Sequence, residues 1–388
     1  MIEYTTGSPG RRWANSAHTA MLMDTRPPAR AIRGIEMEHA ATQRPPQLTF
    51  GQRFRNWRVV IATANLPRGA EMDAVSKWLL ITRAAVFSMT LTSGLIGGLL
   101  AILSEGPRDI QWGFFALSMV GLVFAHASNN MINDYFDVEG GVDDMAYVRT
   151  QYAPHPLLSN LISKRMLVVA MLATTAVDGV IALYLSFSVG WLVMAFALAG
   201  LFVSAGYVMK PITLKRRGLG EIGVLIVWGP LMIGGTYYVT AGDLPPWVWA
   251  ACVPYSLVVM SVLIGKHLDK FEIDSSKGIK TLPVVLGYNV SMRLNQVIMV
   301  SFYLAMAALI LTGVLPVWTA VTLLALPRLW TVLGIYSRPK PDEAPPGYPI
   351  WPLWFVSAAF YFNRRAGELF VLGLIAGAFL PVYVDLRP

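Results

Sequence analysis

The chain has 388 residues, of which 55% are hydrophobic and only 14% charged, with a mean hydropathy of +0.52. A soluble domain carries roughly 25% charged residues, so this composition excludes a soluble enzyme and specifies an integral membrane protein. The net charge of +8 is spread over loops between apolar stretches, which favours a lipid bilayer and argues against nucleic acid as a partner; the single Cys252 excludes a disulfide framework and a cysteine-based metal site.

Residues 1–46 are rich in Arg, Pro, Ala and Thr, show no sustained apolar period, and read as a disordered extension. A chain shortened to begin near Thr42 is therefore expected to turn over like the full one. Normal membrane insertion with lost turnover would contradict this. Over 47–76, Phe50, Phe54, Trp57 and Ile61 recur at helical spacing, with Arg53, Arg55 and Arg58 between them. That pattern predicts a cytoplasmic or interfacial amphipathic helix, lying on the membrane or packed on the protein.

Residues 77–388 make up the membrane domain. Nine stretches approach the roughly 20 apolar residues that a crossing needs, near 78–103, 111–132, 165–187, 190–209, 222–240, 247–266, 293–313, 315–335 and 367–384. The expected fold is an all-α polytopic bundle of about nine transmembrane helices. The loops after even-numbered spans hold nearly all the Lys and Arg, whereas those after spans one, three, five and seven hold only Arg108. The positive-inside rule then places the N-terminus and the even loops in the cytoplasm, for a multi-pass protein of the cell (inner) membrane. Residues 338–350 read as a Pro-rich linker, and Trp351 to Phe362 as an interfacial aromatic segment before the last span.

Two acid-rich clusters end even-numbered spans and so face the same side. In the first, His126, Asn130, Asp134 and Asp137 follow at i, i+4, i+8 and i+11 on one helical face, with Asn133 one residue away. Gly140-Gly141 then breaks the helix, so that Asp143 or Asp144 can fold back. A lone acid at a helix end would be a solvated cap. Paired acids with an amide stripe, beside a bilayer core that penalises charge, point to function. Hard oxygen ligands of this kind suit Mg2+, which bridges to phosphate oxygens.

The second cluster sets Lys266, Lys270 and Asp274 at i, i+4 and i+8, with Asp269 and Glu272 as an i, i+3 pair. Lysines beside metal-binding acids are what a diphosphate needs; the bland alternative is a surface ion-pair patch worth little. In a regular helix Asp269 and Glu272 would lie about 140° and 160° from Asp274. The helix is therefore expected to unwind near Glu272, with Asp274 on the loop and Asp269 its closer partner.

Asn133-Asp134-Tyr135-Phe136-Asp137 with Asp143 resembles the first aspartate motif of the UbiA superfamily of intramembrane aromatic prenyltransferases. Asp274 followed by Gly278, Thr281-Leu282-Pro283-Val284 and Leu286-Gly287 resembles the second. Gly218-Leu219-Gly220-Glu221 and Gly235-Thr236-Tyr237-Tyr238-Val239 are most similar to the branch that prenylates 1,4-dihydroxy-2-naphthoate in menaquinone biosynthesis. The resemblance implies a central cavity facing the cytoplasm and Mg2+ held by Asp134, Asp137, Asp143, Asp274 and either Asp269 or Glu272. It also implies a polyprenyl diphosphate donor and an aromatic acceptor, with Asp134, Asp137 and Asp274 essential to catalysis. Asn130, Asn133, Tyr207, Lys210, Lys266, Lys270 and Arg149 are the candidate substrate contacts; Arg83 near the start of the first span is either a phosphate contact or a snorkelling anchor. Two departures stand out. Asp269-Lys270 reverses the usual basic-acidic order, and His155-Pro156-Leu157 stands where an Arg is usual. The competing readings are a terpene cyclase of the same superfamily and, from another class, a secondary transporter. No internal repeat supports the latter.

Overall fold

Inside a bilayer every backbone N–H and C=O must bond within its own segment, which leaves a chain this apolar the helix as its spanning structure. The computed structural model describes residues 48–67, 69–348 and 350–385; the extension predicted over 1–46 lies outside them. Among these residues there is no β-strand, and seven helices are long and apolar enough to cross a membrane: Ala84–Glu105, Trp112–Glu139, Lys164–Ser188, Gly220–Ala241, Pro246–Leu268, Tyr288–Leu311 and Val317–Tyr336. Leu192–Val208 is a shorter apolar helix.

The last helix runs Phe355–Phe379, so most of the segment expected to lie at the interface is its first two turns. Arg364, Arg365 and Glu368 interrupt its apolar pattern, and the helix ends five residues before the span expected over 367–384 does.

Pro246–Leu268 is the central helix: 72% of its apolar window is buried inside the protein, against 11% for the peripheral Lys164–Ser188. The second cluster therefore grows from the middle of the bundle. Close approach at its end depends on Gly265, where an added Cβ would come within 2.6 Å of the Tyr336 hydroxyl and 2.9 Å of the Phe355 carbonyl oxygen.

The amphipathic segment forms the helix Phe50–Thr63, started by a capping box between Thr49 and Gln52. It turns Asn56 and Val60 inward, and Trp57 Nε1 donates to Asp73 Oδ1 at 2.8 Å. Phe50, Phe54 and Ile61 stay exposed, so the helix is attached to the protein and still presents an apolar edge.

Candidate active site

The two acidic segments close their helices in the same way. Helix Trp112–Glu139 ends with Gly141 in the left-handed region (φ 66°) and the Val142 N–H bonded to the Asp137 carbonyl at 2.8 Å. Helix Phe271–Ser276 ends with Gly278 (φ 66°) and the Ile279 N–H bonded to the Asp274 carbonyl at 2.8 Å. Both are Schellman turns, which need glycine one residue past the cap and an apolar residue after it. The apolar residues are Val142 and Ile279, and with Tyr147 they form a small buried cluster that joins the two turns. Sequence thus fixes backbone, and backbone brings Asp137 and Asp274 to one place.

The fold-back selects Asp143, which is buried, and leaves Asp144 outside on Lys277 Nζ at 2.6 Å. Arg83 grips Asp134 with two nitrogens, Nε at 3.2 Å from Oδ2, and Arg149 Nε lies 3.7 Å from Asp134 Oδ1. Lys215 Nζ sits 3.0 and 2.8 Å from the two oxygens of Asp137. The Tyr147 hydroxyl donates to Asp274 Oδ1 at 2.5 Å, and Lys270 Nζ lies 4.3 Å from the centre of the Tyr147 ring. Burial pushes the Lys270 ammonium down to about 8, against the pull of Asp143. Burial acts the other way on the Asp143 carboxyl, but His155, Lys270 and Lys215 outweigh it and hold the group well below the usual range.

His155 ties the acids together. Its Nδ1 accepts the Leu157 and Leu158 N–H groups at 3.2 and 3.3 Å, so the ring proton is on Nε2. That nitrogen lies 3.3 Å from Asp143 Oδ2 and 3.5 Å from Asp134 Oδ1. Asp134, Asp143 and His155 form a compact group, each offering an atom within 4.8 Å of the others. In this tautomer the Nε2–H lies beside both carboxylates without closing a hydrogen bond to either among the described residues, and the oxygens are left for an ion. Asn133 Oδ1, Asp143 Oδ1 and Asp274 Oδ2 are buried without partners among the described residues. Orphaned buried oxygens with ionised carboxylates are a donor set that fits Mg2+.

A cavity of about 620 Å³ opens beside this cluster. Arg83, Asn130, Asn133, Arg149, Tyr207 and Lys266 line its polar end, and most of the remaining wall is apolar. Asn130 Nδ2 donates to the Thr82 carbonyl at 2.9 Å. The Tyr207 hydroxyl lies 3.4 Å from His267 Nε2, whose Nδ1 is 2.6 Å from the buried Glu221 carboxylate.

Three expectations fail. Asp269 is not with the other acids: its two oxygens accept the Phe355 and Val356 N–H groups, each at 3.0 Å, and Lys340 Nζ lies 3.6 Å away. It closes the N-terminus of the last helix, and Glu272 is exposed, so neither joins Asp274. The central helix ends at Leu268, before the expected break near Glu272, and Asp274 sits in the following short helix. Lys210 is exposed, away from the polar end of the cavity. The sequence reading also missed Lys215, Tyr147 and the bridging role of His155. The basic run Lys215-Arg216-Arg217 was a signal for the first, and the absent Arg near His155 for the last.

The sequence pattern of the UbiA prenyltransferase family matches residues 94–351. "UbiA prenyltransferase domain-containing protein 1" of Ailuropoda melanoleuca is 25% identical over 250 residues, covering 63% of this chain and 71% of its own length. "2-Carboxy-1,4-naphthoquinone phytyltransferase" of Synechocystis is 27% identical over 263 residues, covering 66% and 80%. A UbiA homolog from Archaeoglobus fulgidus, solved bound to DMAPP and Mg2+, shares the fold with a TM-score of 0.52 at 15% identity, over 78% of this chain and 99% of that one.

Proposed function

The chain belongs to the UbiA prenyltransferase family and is a multi-pass membrane prenyltransferase, and from that premise we propose that it joins a polyprenyl group to an aromatic acceptor of the 1,4-dihydroxy-2-naphthoate type, with Mg2+ as cofactor. The observation that carries this reading is the balance of buried charge beside an apolar cavity. The carboxylates of Asp134, Asp137, Asp143 and Asp274 stand among the cations Arg83, Arg149, Lys215 and Lys270, with Lys266 on the adjoining cavity wall. A diphosphate can use those cations only if the carboxylates find another partner.

Asp134, Asp137, Asp143 and Asp274, with the Asn133 carbonyl oxygen, would hold Mg2+, which when bound supplies positive charge for the leaving diphosphate. Arg83, Arg149, Lys215, Lys266 and Lys270 would then turn to the phosphate oxygens. The C1–O bond breaks with its electron pair on the diphosphate, a ring carbon of the acceptor bonds to C1, and the displaced ring proton leaves with the diphosphate. The apolar wall keeps water from the allylic cation and accepts the prenyl tail. Loop charge supports a cytoplasmic acid end in the cell (inner) membrane.

The test is the full chain in detergent with geranyl diphosphate and Mg2+, with and without 1,4-dihydroxy-2-naphthoate, read by mass spectrometry. A prenylated naphthalene that needs the acceptor is expected. A cyclic hydrocarbon formed regardless of the acceptor would make the protein a cyclase. Rigorous chelation is expected to suppress turnover and added Mg2+ to restore it; activity indifferent to chelation would remove the metal from the mechanism.

A further inference from the structure

His126 lies on the same helical face as Asn130, Asp134 and Asp137, about 12 Å along the axis from Asp134. It is buried yet lines the cavity. Its Nδ1 is 2.7 Å from Thr90 Oγ1. Thr90 is fully buried, and its hydroxyl has no other hydrogen-bond partner among the described residues. The hydroxyl hydrogen therefore goes to Nδ1, and the ring proton sits on Nε2, which meets no acceptor among the described residues.

Trp228 stands beside it, edge to ring, with centroids 5.3 Å apart, and also lines the cavity. Its Nε1 is buried with no partner among the described residues, and an indole N–H can only donate. Trp228 sits in a widened stretch of helix, Val227–Gly234, that includes Pro230, and its carbonyl is taken by the Ser93 hydroxyl at 2.8 Å. Widened turns of this kind recur at functional sites. Phe87 packs on His126 with centroids 5.1 Å apart and helps fix the ring.

Two neutral donors on adjacent rings that line an apolar cavity, with no partner among the described residues, are costly unless a ligand pairs them. They offer nothing to an allylic cation, so a purely hydrocarbon substrate does not explain them. We infer that His126 Nε2 and Trp228 Nε1 hold an oxygen of the aromatic acceptor (a phenolate, carbonyl or carboxylate oxygen on the ring), fixing which ring carbon faces the prenyl group. This deepens the transferase reading above and rests on it.

The test compares wild type with Trp228→Phe and His126→Phe, each as full chain with Mg2+, measuring KM separately for geranyl diphosphate and 1,4-dihydroxy-2-naphthoate. Acceptor KM should rise about tenfold or more in each variant, as for a lost hydrogen bond to a charged group, with the diphosphate KM unmoved. Thr90→Val, which touches no ligand, should raise acceptor KM in the same direction by freeing the His126 tautomer. Unchanged acceptor KM in Trp228→Phe, or a parallel rise in both KM values, overturns the subsite while leaving the transferase reading intact. Wild-type protein that makes no acceptor-dependent product overturns both.

Discussion

Asp137→Asn and Asp134→Asn are each expected to lower prenyl transfer by about 10²–10³-fold or more while leaving the bundle folded. Both carboxylates are buried, and both are held by cations that a diphosphate needs, Lys215 for Asp137 and Arg83 for Asp134. Asparagine keeps the shape and one acceptor oxygen, so the cation retains a partner, but it removes the charge that would hold Mg2+. Alanine is the harsher change. It strands Arg83 or Lys215 in a buried site, and breaking such a pair costs about 3–5 kcal/mol. The discriminating measurement is turnover at saturating Mg2+ beside thermal unfolding. Folded Asn variants that turn over near the wild-type rate would remove both residues from the metal site.

The acid stripes were legible because helical periodicity is local: His126, Asn130, Asp134 and Asp137 share a face whatever the rest of the chain does. The Schellman turns were half legible, since Gly140-Gly141 announced a break but did not say that Asp143, rather than Asp144, would fold inward. Burial of Val142 against Ile279 decides that, and it is a tertiary event. The partners of the acids were beyond reach for the same reason. Lys215 meets Asp137 across 78 residues, and Tyr147 meets Asp274 across 127. No short-range pattern encodes those pairings. The start of the last helix was not legible because hydropathy averages over Arg364 and Arg365, although the Arg364 guanidinium turns back to the Ala85 carbonyl at 3.5 Å.

Two of the three acids of the second cluster, Asp274 and Asp269, should separate cleanly on mutation. Asp274→Asn is expected to abolish transfer with little change in stability. The Tyr147 hydroxyl keeps an oxygen to donate to, and what is lost is the charge behind an Oδ2 that has no partner among the described residues. Asp269→Ala should do the opposite. Its carboxylate caps the N-terminus of Phe355–Phe379 by accepting two N–H groups, at the positive end of the helix dipole, with Lys340 alongside. Removing it leaves two buried donors unpaired, at about 1–3 kcal/mol each, in a helix that packs directly on the central one. A marked fall in thermal stability is therefore expected, with apparent Mg2+ affinity unchanged in the protein that remains folded. Glu272→Ala, on an exposed carboxylate, should change neither. If Asp269→Ala weakened Mg2+ binding and left stability untouched, the carboxylate would have to leave its cap when the ion arrives, and Asp269 would return to the metal site.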